Sequence, residues 1–425
     1  MIRRIFPDLF HDKFQKETFW SFAAKGSSFL LFLVLNIILA RFLGVCGFGE
    51  WSFFLSVLTV LLYLSYCGIN ASSQKFVAQY NHTPTMRSVF VASFHLRVVV
   101  SLAFSSLLLI LHIPLASALG RPELAFVFLS AVPLLFLAGI VEYLKNVFEG
   151  LHRIKYNFIV NLLEYGLKLI FITGVLFLST GLVPIIGAFT LALLIASLAG
   201  GYLLYTRFYL TASVSPHGCG GMTWTILCYS APLFIITIGM IIATEIDTIM
   251  IGLLSTDVEV GLYAAAKNII VKIPHISYAL AMGTMPIFAQ NLTLNREMYR
   301  DRLDRLLRKN AFIILPIIGG ILLFSGYFIS FIYGSGYEGS VLPFQILTLY
   351  LLCVSFSIPL GQLLDYQGQA TKRAFFMVMM ILFNIILNFL LIPIYGAVGA
   401  AIGTSLSLVP YLLLTWLEVR RVLYR

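Results

Sequence analysis

Apolar runs of about 20 residues recur from one end of this 425-residue chain to the other, and the connections between them are short. A run of that length crosses the hydrocarbon core as a helix, which satisfies its own backbone hydrogen bonds where no water can. A β-barrel would instead show segments of about 10 residues alternating apolar and polar. Uninterrupted runs such as 29–40 exclude that pattern. With 60% hydrophobic and 11% charged residues, the chain also lies far from soluble proteins, whose apolar share is about 45–50%. The fold class is therefore an all-α polytopic membrane protein. The charged first residues and the long first run predict no cleavable signal peptide.

Twelve spans are predicted, at 18–40, 51–71, 88–111, 124–147, 157–179, 184–206, 223–252, 260–288, 310–333, 341–364, 374–393 and 397–419. Alternate connections collect 21 of the 28 lysines and arginines, whereas the opposite connections hold only Arg41 and Arg121. Basic loops stay in the cytoplasm, so both termini are expected on the cytoplasmic side of the cytoplasmic membrane. The net charge of +10 thus reads as a topology signal rather than a nucleic-acid surface. Phe6, Phe10 and Phe14 beside Lys13 and Lys16 predict a short helix lying in the cytoplasmic interface, in contact with membrane lipids. The arginine-rich connection from Arg296 to Lys309 reads as a solvated topology determinant, with lipid headgroups as its other partner.

The chain carries signs of an internal repeat. Gly49-Glu50-Trp51 and Gly261-Leu262-Tyr263 lie 212 residues apart, as do Gly187-Ala188 and Gly399-Ala400, and Gly150 and Gly368 close corresponding spans. Two bundles of six helices are expected, 1–210 and 223–425, joined by a polar cytoplasmic linker at 211–222. An even span count gives both halves the same orientation, related by a pseudo-twofold axis along the membrane normal with a central cavity.

No G-x-x-x-x-G-K-[ST] phosphate loop is present. Gly334 to Gly339 match G-x-G-x-x-G, but no strand or βαβ unit surrounds them, and they read as a turn. Seven scattered histidines and five scattered cysteines carry no metal-ligand spacing, so neither a metal nor a cofactor is expected. External connections of about a dozen residues leave little room for an enzyme's catalytic loop.

Charges inside spans cost about 2.5–3.5 kcal/mol each on insertion scales and so mark function or pairing. Arg97 and Lys168 lie deep in their spans, and Glu164 precedes Lys168 by one helical turn. Lys267 and Lys272 share the depth of Glu245 and Asp247, and Lys25 lies near the cytoplasmic face. Arg97, Lys168, Lys267, Lys272 and Lys25 are candidate cations for an anionic headgroup. Asp247, Glu245 and Glu164 are candidates for ion pairing or for a coupling H+ or Na+. Glu142, Lys145 and Glu149 are expected at the inner mouth, with Asp365 in the second half. Asn36, Asn161, Asn384, Asn388 and Gln362 could bond sugar hydroxyls or neighbouring helices.

Several segments share one likeness: Pro232 to Lys267 with Val258-Glu259-Val260-Gly261 and Tyr263, Leu39-Ala40-Arg41 through Gly49, Glu149 to Arg153, and Tyr395 to Ala401. They resemble the polysaccharide transporters, Wzx-like O-antigen flippases of the multidrug/oligosaccharidyl-lipid/polysaccharide exporter superfamily. The resemblance implies two six-helix bundles that carry a polyprenyl-linked oligosaccharide from the cytoplasmic to the outer leaflet by alternating access. It also implies a cationic cavity. The alternatives are a cation-coupled multidrug or small-molecule antiporter of the same superfamily and, further off, a membrane glycan polymerase or ligase.

Overall fold

A computed structural model describes residues 13–179, 181–210, 220–282 and 296–424, and every regular element among them is helical. The interfacial helix expected near Phe6 and most of the 211–222 linker lie outside the described residues. The elements are α1 (Lys13–Tyr66), α2 (Ile69–Gln79), α3 (Met86–Ala118), α4 (Ala125–Ser130), α5 (Val132–Gly150), α6 (Ile154–Leu176) and α7 (Leu182–Leu204). They continue as α8 (Gly220–Leu254), α9 (Asp257–Ile270), α10 (His275–Met282), α11 (Arg296–Tyr333), α12 (Val341–Tyr366) and α13 (Ala370–Tyr424).

Among the described residues, eight helices are long and apolar enough to cross a membrane, and the bent pair Pro122–Ser130 with Val132–Gly150 adds a ninth. The 54 residues of α1 and the 55 of α13 exceed the roughly 20 that one crossing needs. Each is interrupted by a glycine in a conformation no helix allows: Gly44 at φ 68°, ψ 179° and Gly396 at φ 53°, ψ −127°. In α13 the two segments fold back on each other, for a Cβ at Gly399 would overlap the Leu391 carbonyl and one at Gly403 the Asn388 side chain. Counting each interrupted helix twice and α9 with α10 once gives the twelve predicted spans.

Four elements differ from expectation. The helix α2 extends beyond the span predicted at 51–71 into the connection after it, and the span predicted at 124–147 is bent by 47° between α4 and α5. The span predicted at 260–288 is broken at 271–274, where Pro274 has no N–H to continue the ladder. The connection expected between Arg296 and Lys309 is helical and continuous with the ninth span. Tyr299, Leu303 and Leu306 recur at helical spacing there and bury one face against Leu360, Leu363, Leu364, Val419 and Leu423.

The chain forms two compact units. The first comprises 1–38 and 57–244, and the second 39–56 and 245–425. The first half therefore lends the turn between its first two spans, 39–56, to the second unit, and the second half lends the first part of its first span, up to 244, to the first unit. In the second unit the lent segment packs by its glycines: a Cβ on Gly49 would overlap the Asp257 carbonyl, and one on Gly261 the Val45 carbonyl. The two glycines equivalent in the repeat thus touch each other's helices, an approach only small residues permit. In the first unit the start of α8 docks on α2, where Ser72 and Ser230 share a hydrogen bond of 2.7 Å and Lys75 lies 3.5 Å from the Tyr229 ring centroid.

Candidate functional site

In the first unit, α5 and α6 bring four charges into an alternating ladder. Lys145 Nζ lies 2.7 Å from Glu142 and 3.2 Å from Glu164, and Lys168 Nζ lies 2.6 Å from the other oxygen of Glu164. The formal charges cancel. Side-chain exposure falls from 35% at Glu142 to 7% at Glu164, so the ladder is wet at one end and dry at the other. Helical spacing sets each rung: Lys145 comes three residues after Glu142, and Lys168 four after Glu164. Next to the ladder, Glu149 accepts from Gln74 at 3.2 Å and from Asn157 at 3.0 Å, and Lys25, itself exposed, lies within electrostatic reach of it.

Arg97 makes no ion pair with this ladder, although Glu142 is within electrostatic reach of it. It is 0% exposed and donates to the carbonyl of Ser65 at 2.8 Å and to the Ser65 hydroxyl at 3.2 Å. Among the described residues, no carboxylate lies within 4 Å of it.

In the second unit, Lys267 donates to Thr248 at 2.9 Å and lies 3.6 Å from Glu245, which also accepts from Ser56 at 2.8 Å. Lys272 is within electrostatic reach of Glu245 and Lys267. Asp247 takes no part in that cluster, although the sequence puts it two residues from Glu245. Two residues turn a helix by about 200°, so the two acids leave α8 on opposite sides.

Asp247 is 2% exposed and is held by neutral groups alone. Asn388 donates its amide N–H to one carboxylate oxygen at 2.6 Å, while Thr404 at 2.8 Å and Tyr263 at 3.0 Å approach the other. Asn388 also donates to Asn384 Oδ1 at 3.1 Å, and its own Oδ1, fully buried, has no hydrogen-bond partner among the described residues. Nor does any lysine or arginine among them pair with Asp247. A buried carboxylate that accepts from one amide N–H and two hydroxyls, with no cationic side chain paired to it and the unpartnered Asn388 Oδ1 nearby, suits a proton or a small hard cation such as Na+.

The structure brings Lys168 to Glu164 and Lys267 to Glu245, and it leaves Lys25 exposed and Arg97 enclosed. Sequence spacing does not point to Thr404, Tyr263 and Asn388 as partners of Asp247. Thr404 is 157 residues away, and a lone threonine in an apolar run carries no signal.

Residues 14–292 match the sequence profile of the family described as polysaccharide biosynthesis protein. The chain is 27% identical over 180 residues to the probable low-salt glycan biosynthesis flippase Agl15 of Haloferax volcanii, a match covering 42% of this chain and 38% of that protein. It is 24% identical over 421 residues to the lipid II flippase MurJ of Bacillus subtilis, covering 88% and 75% of the two chains. An inward-facing multidrug resistance MATE family transporter of the MOP superfamily superimposes with a TM-score of 0.76 at 16% identity, covering 93% of this chain and 95% of that one.

Proposed function

Because the chain belongs to the polysaccharide biosynthesis protein family, we propose that it is a flippase for a lipid-linked oligosaccharide, moving it from the cytoplasmic to the outer leaflet of the cytoplasmic membrane. The family match over 14–292, together with likeness to two named flippases, carries this reading. The protein acts as a carrier rather than a catalyst, alternating access to the two sides, with both termini cytoplasmic.

The cations offered to an anionic headgroup are Lys25 and Lys168 within the first unit and Lys267 and Lys272 within the second, each unit taken by itself. Lys168 and Lys267 are paired to carboxylates at 2.6 and 3.6 Å, so a phosphate binds by exchange, taking over from Glu164 or Glu245 a partner whose desolvation is already met. This exchange lets the headgroup be held without leaving bare cations in the empty carrier. Asp247 binds the coupling H+ or Na+.

The test is export of surface polysaccharide in a strain deprived of its own flippase. The parent chain restores export, whereas Asp247→Asn and a Lys168→Met/Lys267→Met pair, inserted at parental levels, do not. Restoration by an Asp247→Asn variant at the parental rate would remove ion coupling from the mechanism.

A second reading, a cation-coupled multidrug antiporter, draws on the MATE-like fold and on Asp247. Such a carrier would export cationic drugs, measured as resistance in a drug-sensitive strain, and would leave polysaccharide export unrestored.

A further inference from the structure

The fully buried guanidinium of Arg97 sits at a break between two helices. α1 ends at Tyr66, and α2 begins at Ile69. Between them Cys67 (φ 46°) and Gly68 (φ 70°) both occupy the left-handed region, so the helical ladder cannot pass. A break of this kind orphans the last carbonyls of α1, and inside a membrane each must find a donor. Arg97, projecting from α3, supplies one: its Nη1 holds the Ser65 carbonyl and its Nη2 the Ser65 hydroxyl.

The same place helps to hold a charge that touches no carboxylate within 4 Å, although Glu142 is within electrostatic reach of it. The C-terminal end of a helix carries roughly half a negative charge, and the guanidinium sits against it. It also lies 5.2 Å from the centroid of the Tyr66 ring, an electron-rich surface. Room is made on α5 by Gly139, where any Cβ would overlap Arg97 Nη2.

The angle of the break sets the direction of α2 and of everything docked on it. α2 carries Gln74 to Glu149, and a Cβ on Gly150 would overlap the Gln74 carbonyl. α2 also carries Ser72 to Ser230 and Lys75 to Tyr229, both on α8, the helix that runs from one unit into the other. We infer that Arg97 is a positioning residue, the C-terminal cap that fixes the Cys67–Gly68 hinge and through α2 holds the start of α8, and that it does not contact the headgroup. This inference stands whatever the carrier transports.

Cys67 lies at the hinge, half-buried, and Cys353 is buried in the second unit, so the native thiols report on the two places separately. Membranes containing the full chain are treated with N-ethylmaleimide, and modification is followed site by site by mass spectrometry. Arg97→Gln should raise the Cys67 rate at least fivefold and leave Cys353 at the parental rate, which a general loosening of the protein would not do. Arg97→Lys, which can donate to the carbonyl but not span carbonyl and hydroxyl, should fall between. Gly139→Ala keeps the arginine and displaces it, so it should reproduce the Cys67 increase, and it decides the matter if Arg97→Gln does not insert. Binding of a fluorescent polyprenyl diphosphate should stay within twofold in both. A Cys67 rate within twofold of the parent in inserted Arg97→Gln and Gly139→Ala would overturn the inference. So would a tenfold loss of probe binding with Cys67 unchanged, since Arg97 would then be a headgroup contact.

Discussion

The ladder of the first unit assigns unequal weights to its four residues. Glu164 serves two cations at 3.2 and 2.6 Å, and Lys168 has it as its sole ion-pair partner among the described residues. Removing one member of a buried pair strands the other and costs about 3–5 kcal/mol. Glu164→Gln strands Lys168 while Lys145 keeps Glu142, whereas Lys168→Met leaves Glu164 still held by Lys145. The glutamate variant should therefore be the less stable of the two, and the double variant should recover most of the loss, measured as thermal aggregation midpoints in detergent. Asp247 makes a different prediction. If it holds Na+, that ion at tenfold above its Kd should add about 1.4 kcal/mol, or about 1–2 °C in midpoint for a chain of 425 residues, over choline. Asp247→Asn should abolish the increment. In the sequence the ladder is half legible, because Glu164 and Lys168 lie one turn apart, but spacing assigns the bridging Lys145 to the inner mouth and not to them. The Asp247 pocket is legible only at its acid. Its donors come from α9 and α13, and nothing local to α8 announces them.

Glycines act at the scale of the elements, and sequence alone ranks them poorly. Gly187 and Gly399 are equivalents in the repeat, yet a Cβ on Gly187 meets open space while one on Gly399 overlaps the Leu391 carbonyl. Gly187→Ala should be silent, and Gly399→Ala should lower stability by about 1–3 kcal/mol, the usual cost of overpacking. The same contrast should appear in the amount of folded protein recovered from membranes. Gly49 and Gly261 are recognisable as counterparts from their spacing, but that their helices meet is a tertiary fact no spacing contains. The twelve spans are legible because a hydrophobic run is a direct demand of the bilayer. The helical start of α11 is not, because its arginines dominate any reading by hydropathy, although Tyr299, Leu303 and Leu306 mark its buried face.

At the scale of the molecule, the lent segments forbid a clean division at the 211–222 linker. Residues 39–56 belong to the second unit and the first part of α8 to the first. A half ending near residue 215, expressed alone, would leave Gly49 and its neighbours without the helix they pack against. Each half alone should be degraded, and co-expression of both should restore a stable, active pair, followed by pulse-chase and by polysaccharide export. Fusions of a cytoplasm-only fluorescent reporter to either terminus should glow, as the basic asymmetry requires.

The passages between units lie at 38–39, 56–57 and 244–245, and all three fall inside helices, two in α1 and one in α8. In mechanical terms the units are joined by rods rather than hinges of loose chain. Both joining helices also carry a flaw in their ladders: Pro232 withholds an N–H from α8 twelve residues before its crossing, and Gly44 breaks α1 between its two crossings.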